Sequence, residues 1–316
     1  MENLIFSLNA TIPIFLTMVI GYVLRQMNFL DDSFVNTLNS FNFKITLPFL
    51  IFRDIASADF YEVWDTKYVL FCFLATLVCI LVLSVAGYFL CRKQQKLLGE
   101  FIQASYRSSA AVLGIAFIQN IYGTSGMAPL MIIGTVPLYN VATVIILSLT
   151  APGQSGLNRS TIVKTLKGIV TNPIIIGIVL GMVSSLLRIS YPPIISKTIS
   201  NIAVLATPLA LIGLGAGFEG RKALRMIAPT LICTFNKLIL QAAIFLPLAV
   251  MLGFRSEKLI AILVMLGSPT TVSCYIMAKN MEHDGVLTSS AVVSTTFLSA
   301  ITLTFWLYLL KSMQLI

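Results

Sequence analysis

Two short stretches decide the fold of this sequence: residues 104–114, "ASYRSSAAVLG", and residues 266–275, "LGSPTTVSCY". Both lie inside long apolar runs, yet the first carries an arginine beside two serines and the second a proline among hydroxyl residues. Because proline removes a backbone donor and clashes with the preceding turn, the second stretch predicts a helix that breaks near Gly267. Polar groups freed inside a membrane must be buried in protein or line a cavity. The two stretches therefore predict a polar site within a helical membrane protein.

Composition supports the membrane class. The chain has 316 residues, of which 57% are hydrophobic and 10% charged, and its mean hydropathy is +0.93. The formal net charge of +9 comes from cations clustered between apolar runs, as in cytoplasmic loops, which disfavours a nucleic-acid partner. The five cysteines form no CxxC pair, so we expect neither a metal nor a cofactor.

Ten apolar runs are long enough to cross a bilayer, which needs about 20 residues per helix. The N-terminal run is too long for a signal peptide and is expected to remain as the first span. Lysine and arginine are more frequent in the loops after odd-numbered spans, which predicts a multi-pass protein of the inner (plasma) membrane with both termini outside. The predicted spans are 4–24, 33–53, 67–91, 101–120, 127–149, 169–188, 195–218, 224–252, 258–279 and 287–310.

The two halves of the chain align at one offset. Pro13 recurs as Pro173, Pro48 as Pro208 and Ser108 as Ser268, each 160 residues later. The predicted spans map onto each other in the same way, the first onto the sixth and the fifth onto the tenth. Because five is odd, the second copy starts from the opposite side of the membrane, an arrangement typical of secondary transporters. We predict a first five-helix repeat at 1–150, a short cytoplasmic linker at 151–168 and an inverted second repeat at 169–316.

The same offset places Arg107 to Ala110 opposite Gly267 to Thr270, in spans four and nine. Two broken helices at equivalent positions would aim half-helix N-termini at one point, where their partial positive charge suits an anion. The guanidinium of Arg107 has donors that grip a carboxylate in two places. Alternatively, Arg107 snorkels to the interface, and the hydroxyl groups bond their own helix carbonyls. The candidate substrate-binding residues are Arg107, Ser108, Ser109, Asn120, Asn140, Lys237, Ser268, Pro269, Thr270, Thr271 and Asn280.

Other polar residues carry open alternatives. The amides of Asn120, Asn140 and Asn280 either bond substrate or brace a broken neighbour. Lys237, near the centre of span eight, should point inward, either as a site cation or as a stand-in for a coupling ion. His283 is expected in a solvated loop after the ninth span.

The acidic residues narrow the function. All twelve fall in loops or at span ends, whereas a sodium–proton antiporter needs a carboxylate in the middle of the membrane, so cation exchange is disfavoured. An intramembrane enzyme with Ser268 or Ser273 as nucleophile is disfavoured too, because there is no GxSxG motif and Lys237 is the one possible base. A sensor would need an output domain that the short loops do not contain, while a channel remains an alternative.

Three stretches resemble bacterial members of the auxin efflux carrier family: "YRSSAAVLGIAFIQNIYG" at 106–123, "PLYNVATVIILSL" at 137–149 and "SPTTVSCYIMAKNMEHDGVLTSSAVVSTTFLSAITLTFWL" at 268–307. The resemblance covers essentially the whole chain. It implies a ten-helix fold like that of sodium–proton antiporters and bile-acid symporters, with two inverted five-helix repeats. In that fold, helices 1, 2, 6 and 7 form a scaffold that usually dimerises, and helices 3–5 and 8–10 form a moving transport domain. The substrate site lies where broken helices 4 and 9 cross.

The resemblance also implies a substrate class. Family members carry organic anions, namely auxin in plants and carboxylates such as malate in some bacteria. Plant carriers have proline in both crossovers, whereas span four here has Ser108 and Ser109, and the linker is too short for a comparable regulatory loop. We therefore expect a non-enzymatic, homodimeric secondary transporter of a small organic anion that works by elevator-type alternating access. The coupling ion is unknown, with a proton gradient or no ion favoured over sodium; the alternative is a sodium-coupled symporter of bile-acid-carrier type.

Overall fold

The structure is a computed structural model that describes residues 2–57, 65–92, 94–110, 118, 127–151, 163, 167, 168 and 170–316. Every named element in this part of the chain is helical. The α-helices are α1 (Glu2–Gln26), α2 (Asp32–Phe41), α3 (Leu47–Ala56), α4 (Thr66–Leu90), α5 (Leu98–Tyr106), α6 (Ala128–Leu149), α7 (Pro173–Leu186), α8 (Pro193–Val204), α9 (Ala206–Ala216), α10 (Gly220–Arg225), α11 (Ile227–Phe235), α12 (Gln241–Met251), α13 (Ser256–Gly267), α14 (Ser273–Asn280) and α15 (Val286–Ser312). A 3-10 turn covers Gln95–Leu97, and π-helical turns at Asn42–Thr46 and Asn236–Leu240 join α2 to α3 and α11 to α12.

Five helical stretches in the described part of the chain are long and apolar enough to span a bilayer. Ile12–Gln26 and Pro173–Leu186 are shorter apolar helices. The prediction of a helical, multi-pass membrane protein is therefore confirmed. The five long stretches are Thr66–Leu90, Leu130–Leu149, Pro193–Ala216, Ile227–Met251 and Val286–Ser312.

Small residues let the helices of one group pack with their backbones close together. A Cβ atom added to Gly21 of α1 would lie 2.3 Å from the carbonyl oxygen of Ile212 in α9, and one added to Gly215 would lie 1.9 Å from that of Met18. Such close approach is how helices associate in lipid, where no hydrophobic driving force draws them together. In the same way, α3 packs on α7, where a Cβ atom added to Gly177 would lie 2.7 Å from the carbonyl oxygen of Pro48.

Buried apolar side chains form two large clusters. One is built mainly from α4, α5, α6, α12, α13 and α15. The other lies between α1, α3, α7 and α9 and also includes residues of α6, α14 and α15. Dispersion and close packing hold the helices of each cluster together, and α6 and α15 contribute to both.

Two helices end in the middle of an apolar run. The α13 helix ends at Gly267, where Ser268 is extended, and α14 begins at Ser273. This confirms the break predicted from Pro269. The α5 helix ends at Tyr106, and Arg107 is extended, with φ −80° and ψ 121°. Span four is therefore interrupted although its sequence there contains no proline.

Candidate functional site

The two interruptions meet each other. Ser108 and Thr270 form an isolated antiparallel bridge, and the Ser109 N–H donates to the Pro269 carbonyl over 2.9 Å. A broken helix leaves backbone groups without partners, and such groups are costly in a membrane. When the two extended segments pair with each other, each provides hydrogen-bond partners for some of the other's free backbone groups. The break in span four is thus stabilised by its partner rather than by a proline of its own.

The carbonyl groups at the ends of α5 and α13 are bonded by side chains. The Thr270 hydroxyl donates to the Ala104 carbonyl over 2.8 Å. The carbonyl of Met265 accepts from the hydroxyls of Ser108 and Tyr139, the latter over 3.3 Å. Two residues selected from the sequence, Ser108 and Thr270, therefore donate their hydroxyl protons to the backbone of the crossing, so these protons are not available to an anion.

A cavity of about 90 Å³ opens beside the crossing. One water needs roughly 10–15 Å³ of such space, so the cavity has space for several waters or for a small organic molecule. Five of the predicted site residues line it, together with apolar residues from α3 and α9. These five are Arg107, Ser108, Ser109, Asn140 and Thr271.

Arg107 is the cation of this cavity and is 3% exposed. Its guanidinium contacts Met277 Sδ and donates to Asn140 Oδ1, whose own amide group donates to the Val136 carbonyl over 2.9 Å. No carboxylate of the described residues lies within ion-pair distance of Arg107. Among the described residues, these two neutral groups occupy two of the five guanidinium donors, and the remaining donors suit an anionic acceptor. The N-terminal end of α14 also reaches the cavity through Ser273.

The remaining predicted site residues lie elsewhere. Ser268, Pro269 and Thr270 sit within the crossing but do not line the cavity, and the Ser268 hydroxyl is fully buried with no partner among the described residues. Lys237 is also fully buried and lies outside the cavity lining. Asn280 donates to the carbonyls of Asn39 and Ile276, over 3.2 and 2.9 Å, and so braces α14 against α2. Asn120 lies outside the described residues.

Four polar residues of the cavity were not selected as site residues from the sequence: Asp54, Tyr139, Thr207 and Ser273. Tyr139 directly precedes Asn140, and Ser273 opens α14, so both were near residues already chosen. Asp54 was placed at a span end, but its carboxylate reaches the cavity from α3 while it is bonded by the neighbouring Arg53 over 2.9 Å. The signal for Asp54 is an acid in the last turn of an apolar helix.

The prediction of a solvated His283 is wrong. The side chain is 4% exposed, and its Nε2 lies 3.0 Å from the Leu147 carbonyl. The backbone N–H of His283 donates to the Ala278 carbonyl. The chain after α14 therefore turns back and places the imidazole against α6. Beside this turn, fully buried Glu100 accepts from Gly285 N–H and from the backbone and hydroxyl of Thr288, at 2.9–3.0 Å, which caps the first turn of α15.

Interrupted helices that cross within a bilayer-spanning helical protein, with a cavity at the crossing, define the class of membrane transporters. The comparisons with known proteins agree. The family model described as "Membrane transport protein" (Mem_trans) matches residues 6–307, so the chain belongs to this family, which includes the auxin efflux carriers. The chain is also 22% identical, over 95% of its length and 97% of the relative, to a protein of Methanothermobacter thermautotrophicus (strain Delta H) named "Uncharacterized transporter". Members of this family are transporters, which fits a non-enzymatic role.

Proposed function

We propose that this protein is a secondary transporter of a small organic anion, with a carboxylate held by Arg107. The observation that carries the proposal is a buried guanidinium on a cavity wall with no acidic partner in the described part of the chain. An intramembrane charge costs several kcal/mol (~2.5–3.5 on insertion scales) and is rarely without a function. In this proposal the anion supplies the negative charge that the chain does not.

The neighbours of Arg107 give the proposed site its shape. Asn140 Oδ1 accepts from one guanidinium nitrogen and so fixes the plane of the group. The hydroxyls of Thr271 and Ser273 lie 3.2 Å apart at the start of α14, where the partial positive charge of a helix N-terminus favours negative charge. A carboxylate in the cavity would accept from the guanidinium and from these hydroxyls, while the apolar walls from α3 and α9 would contact its carbon skeleton.

The proposed mechanism is elevator-type alternating access within a fold of ten helices in two inverted repeats. The buried clusters support it, because the first is built from helices expected to move, while the second holds the helices expected to form the scaffold, with residues of α6, α14 and α15 packed against them. The crossing belongs to the first cluster, whereas Leu47 and Ala210 on the opposite cavity wall belong to the second. A sliding of one cluster against the other would carry the anion across. We further propose a homodimer through the scaffold, in the inner (plasma) membrane, with both termini outside.

A second candidate is a sodium-coupled organic-anion symporter, and Asp54 favours it. Its carboxylate lines the same cavity as Arg107, and carboxylates are ligands of hard cations. Against it, Asp54 already accepts two hydrogen bonds from Arg53, over 3.1 and 2.9 Å. Replacing sodium in the transport assay separates the two candidates.

Transport by the purified protein in liposomes tests the proposal. Uptake of labelled mono- and dicarboxylates is measured in choline buffer, with a membrane potential or a pH gradient imposed by ionophores. We expect saturable accumulation of one carboxylate class without sodium, and its loss in Arg107→Gln. Uptake that needs sodium favours the symporter, a steady conductance in planar bilayers indicates a channel, and transport of cations alone refutes the anion site.

A further inference from the structure

Lys237 lies outside the cavity lining, in a second polar region at the end of α13. It is 0% exposed, and its ammonium group donates to the Leu266 carbonyl over 2.6 Å. That carbonyl belongs to the last turn of the interrupted helix α13. The C-terminal end of a helix carries a partial negative charge of roughly half an electron, so a cation is stabilised there.

The other interrupted helix ends in the same region. Gln241, one helical turn after Lys237, donates to the Ser105 carbonyl in the last turn of α5. One helix therefore sends two donors to the C-terminal ends of both interrupted helices. The register is set by the π-helical turn Asn236–Leu240, whose Leu238 carbonyl accepts from the Trp306 indole over 3.0 Å. Such turns are frequent at functional sites.

None of the ion pairs in the described part of the chain includes Lys237. A buried ammonium without a carboxylate is costly unless backbone dipoles replace the lost water. The Ser268 hydroxyl, in the residue after α13, is fully buried and lacks a partner among the described residues. Carbonyl and hydroxyl oxygens of this kind are the ligands that hard monovalent cations find in broken-helix transporters.

We propose that the Lys237 ammonium is a built-in cation that occupies the position a coupling ion would otherwise take between the ends of α5 and α13. The lysine supplies positive charge at the carbonyl end of α13, and the Gln241 amide bonds the end of α5, so the crossing is complete without sodium. The inference rests on the proposed function in one respect: an ion can be a coupling ion only if the protein is a transporter. Its test uses no carboxylate and the same chloride concentration in every salt, so it can fail while the anion site stands, and the reverse is also true.

Chemical rescue tests the inference. Lys237→Ala removes the ammonium and leaves space for a small cation. The melting temperature of the purified variant is compared in sodium, propylammonium and choline chloride at equal ionic strength. We expect sodium or propylammonium to raise it above the choline value by about 2–4 °C or more, the shift that roughly 1 kcal/mol produces in a domain of 150–250 residues. The wild type should melt at the same temperature in all three salts.

The control is Lys44→Ala. Lys44 lies in the other π-helical turn, Asn42–Thr46, but is exposed, so this variant should not distinguish the salts. If Lys237→Ala does not fold, Lys237→Gln, which keeps a donor for Leu266, is tested in the same salts. The proposal is wrong if neither variant responds, if neither is recovered folded with propylammonium present throughout purification, if the control responds equally, or if sodium stabilises the wild type.

Discussion

Arg107 and Lys237 are both buried cations at one crossing, yet their surroundings differ. Arg107 borders a cavity, and in the part of the chain that the structure describes it has two neutral contacts, which leave most of its donors for a ligand. Lys237 lies outside that cavity, against the carbonyl end of an interrupted helix. The difference indicates that burial alone does not identify a binding residue. A charge whose partner is the protein's own backbone stabilises the fold, whereas a charge that faces an open cavity is available to a ligand.

The largest expected effect comes from the cation that faces the cavity. Arg107→Gln should weaken carboxylate binding about 30-fold or more, since truncating one partner of a buried charge pair costs about 2–5 kcal/mol. Isothermal titration against the transported carboxylate measures the affinity. Arg25→Gln is the control. Arg25 is paired with Asp32 at 2.6 Å, so this variant is expected to leave the carboxylate affinity unchanged. Equal affinities for wild type and Arg107→Gln would remove Arg107 from the site.

A second variant gives Arg107 an acidic partner within the protein. Asn140→Asp places a carboxylate where the amide oxygen already accepts from Arg107. This internal anion should compete with the substrate and lower affinity about tenfold or more, with folding retained, because charge-assisted bonds are roughly twice as strong as neutral ones. Asn140→Leu, which removes the bond without adding charge, is the control. A smaller loss of carboxylate affinity in Asn140→Asp than in Asn140→Leu would contradict the difference drawn between Arg107 and Lys237.

Glu100 tests a buried charge whose partners, like those of Lys237, belong to the protein. Glu100→Gln replaces one carboxylate oxygen by an NH2 donor, which then faces the backbone N–H of Gly285 or of Thr288, and each unsatisfied buried group costs about 1–3 kcal/mol. We expect a lower melting temperature and unchanged carboxylate affinity of the folded fraction. Calorimetry and titration on the same sample separate the two, and a specific loss of affinity would assign Glu100 to transport.

Replacing Pro269, which has no counterpart in span four, is expected to have a smaller effect on stability. Pro269→Ala keeps the carbonyl that accepts from Ser109, and span four is interrupted without proline. The melting temperature should therefore fall by the equivalent of about 1 kcal/mol or less, mainly through greater freedom of the unfolded chain. Complete loss of carboxylate binding in the folded variant would show that the proline itself maintains the crossing.

The smallest effect belongs to a pair outside the crossing. The Asp65 carboxylate caps α4 by accepting from Tyr68 N–H, and it also accepts from the Lys258 ammonium over 2.6 Å. Both bonds lower the pKa of Asp65, and the bond from Lys258 has the larger effect. A lowered pKa means stability that is present above the unfolded value of about 3.9 and is lost as the pH falls through the folded value. Asp65→Asn should cost about 0.2–1 kcal/mol at pH 7. Melting curves of both proteins should converge in acid; a gap that widens there has the wrong sign.

The sequence was informative where chemistry is local. Proline in an apolar run predicted the break after Gly267, and the arginine that the sequence singled out in span four lines a cavity. It was not informative where distant segments meet. The burial of His283 depends on Leu147, and the role of Glu100 depends on the first turn of α15. No pattern within either segment contains that information.

Thermal stabilisation of the purified protein by a panel of mono- and dicarboxylates, amino acids and sodium, at fixed pH, tests the central claim most directly. A ligand at 100 times its dissociation constant adds about 2.7 kcal/mol to the folded state. We predict that one carboxylate class raises the melting temperature of the wild type and not that of Arg107→Gln. Stabilisation by sodium or a cationic ligand alone, with none by any carboxylate, would contradict an anion site at Arg107.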